Sequence, residues 1–485
     1  MVHGVFQRQL APVEILSESS LETLERGWKR IVSEIGIEFM HDEAIELFRS
    51  HGQKIEDQVV HLDPEFMLEQ IAKIPREFTW HSRNADRDIP FAPDRMAFLP
   101  VNSAPFVREG DRRYEATFEA FRRFNRLTYV TDELDSPGCP SCDPTDGAID
   151  SRHLNLQLAL YEDQDKPQFA SAFDGIGASD SIAMAAIVAG SREALIERPT
   201  LAGVINCNSP LRYDSRMLDS LFAMASAGQI VIVTPFILMG AMGPVSVPAA
   251  LAQQTAESLA ALTLVQLVRP GCPAIMGSFV SHTDMQSGSP GFGGPESAVG
   301  ILATGQIARR YGLLWRSGGG GLTSGQIVDA QAAFESLNTM LPAFMAGANF
   351  QLHTAGWLES GLVACFEKFE LDIEILRILQ REFTPLEIDE ESLAFSAHLE
   401  VGHGGHFFGA AHTLERFRDC FYRPTVFSTE NHDRWTRYGS LDTAARAAKR
   451  WPERLERWSP PPLDDGVHAE LKEYVARRTT ELGDD

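Results

Sequence analysis

The stretch IVIVTPF, at residues 230–236, begins with four consecutive β-branched apolar residues. Residues of this kind favour strands, and a strand that is apolar without alternation is typical of a parallel sheet covered on both faces. A loop and an amphipathic helix follow it. The stretch therefore predicts one strand–helix unit of an α/β fold.

This pattern of an apolar strand, a loop and an amphipathic helix recurs about every 30 to 45 residues along the chain. Eight such units over roughly 280 residues match the length of a closed (β/α)8 TIM barrel better than that of an open doubly wound sheet. The sequence therefore predicts a TIM-barrel catalytic domain at residues 96–383. The other predicted strands are AFLPV from Ala97, a poorly defined one near Ser136, QFASAF from Gln168, TLAGVIN from Thr200, PAIMGSF from Pro273, LLWRS from Leu313 and ANFQLH from Ala348.

The two ends of the chain lack this strand–loop–helix pattern. Residues 1–95 are predicted to be a helical N-terminal segment, with a capping box at Ser19 and Glu22 and a second helix that begins at Asp63 and Pro64. Residues 384–485, rich in polar residues, Trp and Pro, are predicted to be a C-terminal extension that wraps around the barrel.

Composition excludes several classes of protein. A formal net charge of −24 repels nucleic acid and anionic lipid. The sequence shows no secretory signal and no apolar run long enough to cross a bilayer, which predicts a cytoplasmic protein without membrane contact. Six scattered cysteines are expected to be reduced thiols, and for the lone CxxC at Cys139 and Cys142 a structural role is favoured over a metal or redox one.

Catalytic groups of a TIM barrel lie on the loops that follow the strands. At these positions the chain has no lysine for imine chemistry and no HxH or DxD motif for a metal, so no metal site is predicted. His403, His406 and His412 lie beyond the barrel and are not expected to bind metal either. Packing, helix capping or loop ordering remain the alternative roles of the strand-end candidates, which are Asn206, Asn208, Phe236, His282, Asp284, His353, Trp357 and Glu359.

A run of four glycines, Gly318–Gly321, follows the seventh predicted strand. Many barrels bind phosphate at this place through backbone N–H groups. However, Arg316 is the only basic residue nearby, and Thr323 or Ser324 is suited to cap the next helix. A simple turn and a surface that a ligand approaches closely are therefore both open interpretations.

Five longer motifs carry a resemblance that spans nearly the whole chain: PFILMGAMGPVSVPAALAQQTAESLA, FVSHTDMQSGSPGFGGPE, DAQAAFES, HTAGWLESGLVACFEKFELD and GHFFGAAHTLERFRDCFYRP. In this order they resemble the trimethylamine methyltransferase family, in particular its members without pyrrolysine. The resemblance implies a TIM-barrel enzyme that moves a methyl group from a methylated amine to cobalt(I) of a corrinoid (a cobalamin). That corrinoid is carried by a separate small corrinoid-binding protein.

The resemblance also assigns roles. In relatives with pyrrolysine that residue would lie between about Thr323 and Gln326, where this chain has ordinary residues. A quaternary amine such as a betaine needs no activation by such a residue and suits an aromatic site through cation–π contact, so it is preferred, with a trimethylamine-like substrate as an alternative. His353 is then the catalytic candidate, and the other strand-end candidates are expected to bind substrate.

The glycine run has a corresponding role in this interpretation. With Thr323 and Gln326, Gly318, Gly319, Gly320 and Gly321 would form a loop that a flat corrinoid approaches. A homo-oligomer is also expected. The rival interpretations are a phosphate-binding TIM-barrel lyase or isomerase and a betaine-binding protein without catalysis.

Overall fold

Seven parallel strands form the central curled sheet of the computed structural model, which describes residues 5–483. Around the sheet the order is β1, β7, β6, β5, β4, β3 and β2, and an antiparallel strand, Phe6–Gln7, lies beside β1. This confirms an α/β fold with a parallel sheet. The strands are β1 (Arg95–Phe98), β2 (Gln168–Phe169), β3 (Leu201–Cys207), β4 (Ile230–Pro235), β5 (Ala274–Gly277), β6 (Trp315–Ser317) and β7 (Phe350–Gln351).

The prediction of a strand near Ser136 is wrong. Around Ser136, between the helices Phe118–Tyr129 and Arg152–Asp163, the chain is irregular, and side chains take part in holding it to β1 and β2. The Asp135 backbone N–H donates to the Phe98 carbonyl at 2.9 Å, and the Ser136 hydroxyl donates to the Pro167 carbonyl at 2.8 Å. The sequence DSPGCP explains the absence of a ladder, because its two prolines have no N–H to donate.

Helices follow β2 to β7, each of them before the next strand or the C-terminal region. The longest of them, α3, is buried over most of its length because it lies between β4 and β5 on one side and the N-terminal helices on the other. No helix within residues 5–483 is long and apolar enough to cross a membrane. These helices are α1 (Gly175–Ala189), α2 (Ser215–Ser226), α3 (Val247–Val268), α4 (Pro295–Arg310), α5 (Ala330–Ala346) and α6 (Phe366–Glu382).

The N-terminal segment is not purely helical. Asp63 caps a helix with Pro64 in its first turn, as predicted, whereas the first helix is capped by Ser17 instead of Ser19. Its helices are Glu18–Arg30, Asp42–Ser50 and Pro64–Ile71, with a π-helical turn at Ile31–Ile35 and a 3-10 turn at Ala85–Arg87. Its short strands are Ile37–Phe39, Lys54–Glu56, Val59–His61, Phe78–Trp80 and Ile89–Phe91, the first of which pairs with Arg212–Tyr213.

The C-terminal region has two differently packed parts. Helix Thr443–Leu455 is held on α6, where Trp451 stacks on Phe366 at 4.6 Å and Arg454 pairs with Glu370 at 2.7 Å. Helix Asp465–Leu482 packs against Arg152–Asp163 and α1. Residues 384–440, which contain Phe395–Val401, a 3-10 turn at Phe407–Gly409, Ala411–Arg416 and His432–Arg437, expose many large apolar side chains, among them Leu386, Ile388, Phe395, Leu399, Phe408 and Phe421.

Further short strands and helices lie in the connections between the sheet strands. Three more helices lie in the connections, Phe118–Tyr129 and Arg152–Asp163 between β1 and β2 and Arg192–Glu197 between α1 and β3. Most of the extra strands follow the carboxyl ends of the sheet strands, so they shape the same end of the fold. They are Phe106–Glu109, Arg112–Glu115, Ile237–Met239, Val280–Thr283, Pro290–Gly291, Trp357–Leu358 and Val363–Cys365, and a 3-10 turn at Glu359–Gly361 joins the last two.

Candidate active site

A cavity of about 440 Å³ opens at the carboxyl ends of the sheet strands. It is the end of the sheet at which the loops after the strands converge, where α/β proteins commonly bind ligands. The residues lining it are apolar, aromatic or neutral and polar, with Arg316 and His353 as the exceptions. They are Asn102, Ser103, Cys139, Ala170, Ala172, Phe173, Val204, Asn206, Cys207, Thr234, Phe236, Met242, Phe279, Arg316, Leu352, His353, Trp357 and Gly361.

His353 lies just beyond β7 in a strained backbone conformation, with φ of 67°. Neighbours hold it there: its N–H donates to the Pro100 carbonyl at 3.1 Å, and its carbonyl accepts from the Gly321 N–H at 2.7 Å. Left-handed backbone at a residue other than glycine is costly and is concentrated at functional sites. The conformation therefore marks His353 as a position that the surrounding structure fixes.

The imidazole of His353 is buried, and its ring stacks on Trp357 with centroids 3.9 Å apart. Its Nδ1 has no hydrogen-bond partner within the described residues. Burial, and then the positive charge of Arg316, hold the pKa of His353 well below its usual value. The ring is therefore neutral near pH 7 and has no second proton to donate.

Aromatic rings form one wall of the cavity. Phe236 stacks on Phe279 with centroids 4.5 Å apart, and Phe292 meets the edge of this pair from behind at 5.0 Å from Phe279. Trp357 presents one face to His353, so that face is not available to a ligand. Phe236 and Phe279 are the rings best placed to meet a cation.

Arg316, on β6, is a site residue that sequence reasoning did not select. It is 3 % exposed, and its Nη1 donates to the Ser278 carbonyl at 2.8 Å. Its Nε has no partner, and no carboxylate of residues 5–483 forms an ion pair with it. Burial lowers its pKa to about 10, which leaves it charged near neutral pH. An arginine within the otherwise uncharged strand segment LLWRS was the signal available in the sequence.

Four of the predicted site residues line this one cavity: Asn206, Phe236, His353 and Trp357. The other four have partners elsewhere. Asn208 exchanges hydrogen bonds with Asp214, the cap of α2, and Glu359 pairs with Arg113 at 3.1 Å. Asp284 accepts hydrogen bonds within its own exposed turn, and His282 lies 3.5 Å from Glu296. Their substrate-binding roles stay predictions.

The glycine run is packed inside the protein. A Cβ at Gly319 would lie 2.3 Å from the Thr339 carbonyl oxygen, and one at Gly318 would lie 2.8 Å from that of Ser278. At Gly320 and Gly321 it would meet the carbonyls of His353 at 2.6 Å and Thr354 at 2.7 Å. Close approach of neighbouring backbone therefore accounts for the glycines without a ligand, and their role in corrinoid approach stays a prediction.

The residues after the run are also engaged. Thr323 is buried and donates to Glu335 at 2.5 Å, whereas Gln326 is exposed. The cap of α5 is Asp329, not Thr323 or Ser324. The N–H groups of Gly319 and Gly321 are bonded to Ser317 and His353, so they are not free to bind a phosphate.

Residues 2–483 match the family model for trimethylamine methyltransferase. The chain belongs to the trimethylamine methyltransferase family. It is 38 % identical to the glycine betaine methyltransferase of Desulfitobacterium hafniense (strain Y51), over 98 % of this chain and 100 % of that one. It is 25 % identical to the trimethylamine methyltransferase MttB of D. hafniense (strain DSM 10664 / DCB-2), over 96 % and 94 % of the two chains. It is also 25 % identical to the proline betaine:corrinoid methyltransferase of Eubacterium limosum, over 96 % of each.

A buried ion pair on α6 joins the loops around the cavity of this family member. The Lys368 ammonium lies 2.5 Å from the Asp372 carboxylate and also donates to the Gly321 carbonyl at 3.1 Å. Asp372 accepts from the Gly356 N–H at 2.8 Å, and burial raises its pKa to about 6 against the opposing effect of Lys368. The pair therefore fixes the glycine run and the His353 loop to the same helix.

The two cysteines of the CxxC motif are free thiols in this methyltransferase-family fold. Cys139 lines the cavity, and burial raises its pKa to about 12, so it is neither a thiolate nor a proton donor near neutral pH. Cys142, three residues further along the chain, is also buried. In the part of the chain that the structure describes, no three His, Cys, Asp or Glu side chains are grouped so that they could hold a metal ion.

Proposed function

We propose that this protein transfers a methyl group from a quaternary amine to cobalt(I) of a corrinoid carried by a separate small protein. Membership of the family and the names of its betaine-demethylating relatives support the reaction type. The observation that carries the choice of amine is the cavity, whose lining has aromatic rings but no Asp, Glu or Lys among the described residues. A permanent cation binds such a wall by cation–π contact.

The chemistry fits this lining. In a quaternary amine the bond between methyl carbon and nitrogen breaks with its electron pair staying on nitrogen, and a neutral tertiary amine leaves. Cobalt(I) supplies the electron pair of the new bond to carbon, so no proton is transferred. A tertiary amine such as trimethylamine must carry a proton on nitrogen while its methyl is transferred, so that neutral dimethylamine leaves, and the low pKa of His353 deprives the cavity of an imidazolium that could supply that proton.

In this proposal His353 positions the substrate. Its backbone is fixed by Pro100 and Gly321, and its ring is fixed by Trp357, so the imidazole is held rigidly at the cavity wall. The rigid placement of polar and aromatic groups around the reacting carbon lowers the entropy lost in reaching a near-attack geometry. Phe236 and Phe279 hold the cationic head group, and Asn206 is within the same lining.

The corrinoid protein would dock at the mouth of the cavity. Phe173 lines the cavity and is 45 % exposed, and Val245 and Met285, which both lie near Gly240, are exposed apolar residues on loops after β4 and β5. Exposed apolar side chains grouped at a site entrance are typical of a partner surface. We also infer that the segment after β1, through the bonds of Asp135 and Ser136, closes the sheet into a barrel around this site.

A homo-oligomer belongs to the same proposal. The exposed apolar side chains of residues 384–440 form a surface whose burial between copies of the chain would be favourable. Sedimentation of the purified protein tests this directly. A monomer at micromolar concentration would contradict it.

The reaction is tested by incubating the purified chain with glycine betaine and reduced free cobalamin as the methyl acceptor, followed by visible absorption. We expect conversion of the cobalt(I) spectrum to that of the methylated form with glycine betaine and much slower conversion with trimethylamine. Binding of glycine betaine by calorimetry without any methylation would instead favour the non-catalytic betaine-binding protein. Neither binding nor methylation would reject a quaternary amine as the ligand.

His353→Ala is expected to lower methyl transfer by about 10²-fold, because it removes a rigidly placed group at the reacting centre. His468→Ala is the matched control, since neither His468 nor Glu162, which lies 2.9 Å from it, lines the cavity. Equal rates for His353→Ala and the wild-type protein, both folded by circular dichroism, would remove His353 from the mechanism.

A further inference from the structure

Arg316 carries a positive charge that no described residue neutralises. Its guanidinium is buried at the cavity wall and makes one hydrogen bond, to the Ser278 carbonyl. Two other buried cations have a carboxylate partner, Arg454 with Glu370 and Lys368 with Asp372, and Lys166 donates to three backbone carbonyls. Burying an unpaired charge is costly, so a side chain of this kind at a binding site is typically completed by its ligand.

The other unpartnered polar atoms at the cavity point to the charge of that ligand. Within residues 5–483 the Arg316 Nε and the Trp357 Nε1 are buried without partners and are donors only, and the unpartnered Nδ1 of His353 is able to donate in one tautomer. The Thr234 hydroxyl, also buried and unpartnered, lines the same cavity and is able to donate. A carboxylate accepts only, and a guanidinium binds it through two parallel hydrogen bonds.

A simple cation does not suit the whole cavity. Tetramethylammonium would find the aromatic wall of Phe236 and Phe279 but would also be repelled by Arg316 in a medium of low dielectric constant. A zwitterion removes this conflict, because its ammonium group lies at the rings while its carboxylate neutralises Arg316. The lining thus offers aromatic rings for the positive charge and a guanidinium for the negative one.

We propose that Arg316 binds a carboxylate of the substrate, so that the site selects quaternary ammonium compounds that carry a carboxylate over those that do not. This inference rests on the proposed function for the ammonium group but not for the carboxylate. Specificity would therefore depend on a residue of β6, and not on the loops after the strands where the sequence predicts the site residues.

Four ligands of nearly equal shape separate the two charges in calorimetry. Glycine betaine has both, choline has the cation and a hydroxyl, 3,3-dimethylbutanoate has only the carboxylate, and 3,3-dimethylbutan-1-ol has neither. We expect the wild-type protein to bind glycine betaine about 10- to 100-fold more tightly than choline, as hydrogen bonds to charged groups allow. The same preference is expected for 3,3-dimethylbutanoate over the alcohol.

Arg316→Met is expected to abolish both preferences and to leave the melting temperature unchanged or raised, because it removes an uncompensated buried charge. Arg316→Lys keeps the charge without the planar fork and is expected to retain part of the preference. Arg30→Met, at an exposed arginine on the first helix that pairs with Glu34, is the control and should leave both preferences intact.

Each result decides one point. Equal wild-type affinity for glycine betaine and choline overturns the carboxylate assignment, and so does an equal loss for all four ligands in Arg316→Met. If 3,3-dimethylbutanoate binds as tightly as glycine betaine and only Arg316→Met weakens it, the carboxylate site stands while the quaternary amine proposal fails. If Arg316→Met does not fold, Arg316→Lys gives the measurement, and an undiminished preference there overturns the assignment.

Discussion

Two buried cations, Lys368 and Arg316, lie close to the same loops but have opposite surroundings. Lys368, on α6, is fully buried and bonded to Asp372, to the Ser336 hydroxyl at 2.7 Å and to the Gly321 carbonyl. Among residues 5–483, Arg316, on β6, has a single carbonyl as its partner. The comparison separates a charge that the protein neutralises in order to hold its loops from a charge that it leaves for a ligand.

The largest expected effect is on the Lys368 side. Lys368→Met leaves the Asp372 carboxylate buried and unpaired and removes two further hydrogen bonds, so we expect a loss of about 3–5 kcal/mol in the free energy of unfolding. Urea unfolding measures it. The double variant Lys368→Met with Asp372→Leu removes both charges and should recover most of the loss. If Lys368→Met is as stable as the wild type, the Lys368–Asp372 pair does not stabilise the fold, and the contrast between Lys368 and Arg316 is lost.

A smaller loss is expected at the glycine run that Lys368 supports. Gly319→Ala forces a methyl group to within 2.3 Å of the Thr339 carbonyl oxygen, which should cost about 1–3 kcal/mol as overpacking. Gly147→Ala is the control, since nothing lies within 4 Å of the added atom there. Unchanged melting of Gly319→Ala together with slower transfer to cobalamin would instead support the predicted role of this loop in corrinoid approach.

On the Arg316 side, the aromatic wall should affect ligand preference and not stability. Phe236→Leu is expected to weaken the binding of glycine betaine by about 0.5–2 kcal/mol more than that of 3,3-dimethylbutanoate, because only the cation interacts with the ring quadrupole. Phe292→Leu is the matched control, since Phe292 packs on Phe279 without lining the cavity. Equal losses for both ligands in calorimetry would reduce Phe236 to a packing role.

The smallest effect expected is that of pH on the affinity for glycine betaine. Between pH 6.5 and 9 neither lining group changes charge, because the pKa of Arg316 is about 10 and that of His353 lies well below 6.5. Glycine betaine affinity should therefore be constant over this range. Because His353 is neutral when folded but is protonated below about pH 6.5 when unfolded, its contribution to stability is lost as the pH falls below that value. An inflection in affinity near pH 6.5 would show that His353 is protonated in the site.

The strands could be predicted because they are locally encoded. Runs such as IVIVTPF are apolar throughout, and seven of the eight predicted strands form. The eighth failed because the DSPGCP segment is held partly by the side chains of Asp135 and Ser136, which leave no strand pattern. The Asp63 cap was also predictable, whereas the choice of Ser17 over Ser19 depended on which hydroxyl reaches the first free N–H.

The site was only half predictable. Residues at strand ends were the right place to search, but four of the eight candidates point to partners outside the cavity, as with Asn208 and Asp214. Whether a side chain after a strand faces the cavity depends on the backbone of the loop, and that backbone is set by long-range contacts such as the bond between Gly321 and His353. Such contacts join residues far apart in sequence.

The sequence by itself determined the α/β class, the family and the aromatic and histidine residues from which a cation site is built, because periodicity and motif order are local properties. Only the tertiary structure decided that the glycines serve internal packing and that Arg316 is unpaired while Lys368 is not. Both depend on which atoms of distant segments meet, since burial and the presence of a countercharge are properties of the folded neighbourhood and not of the residue.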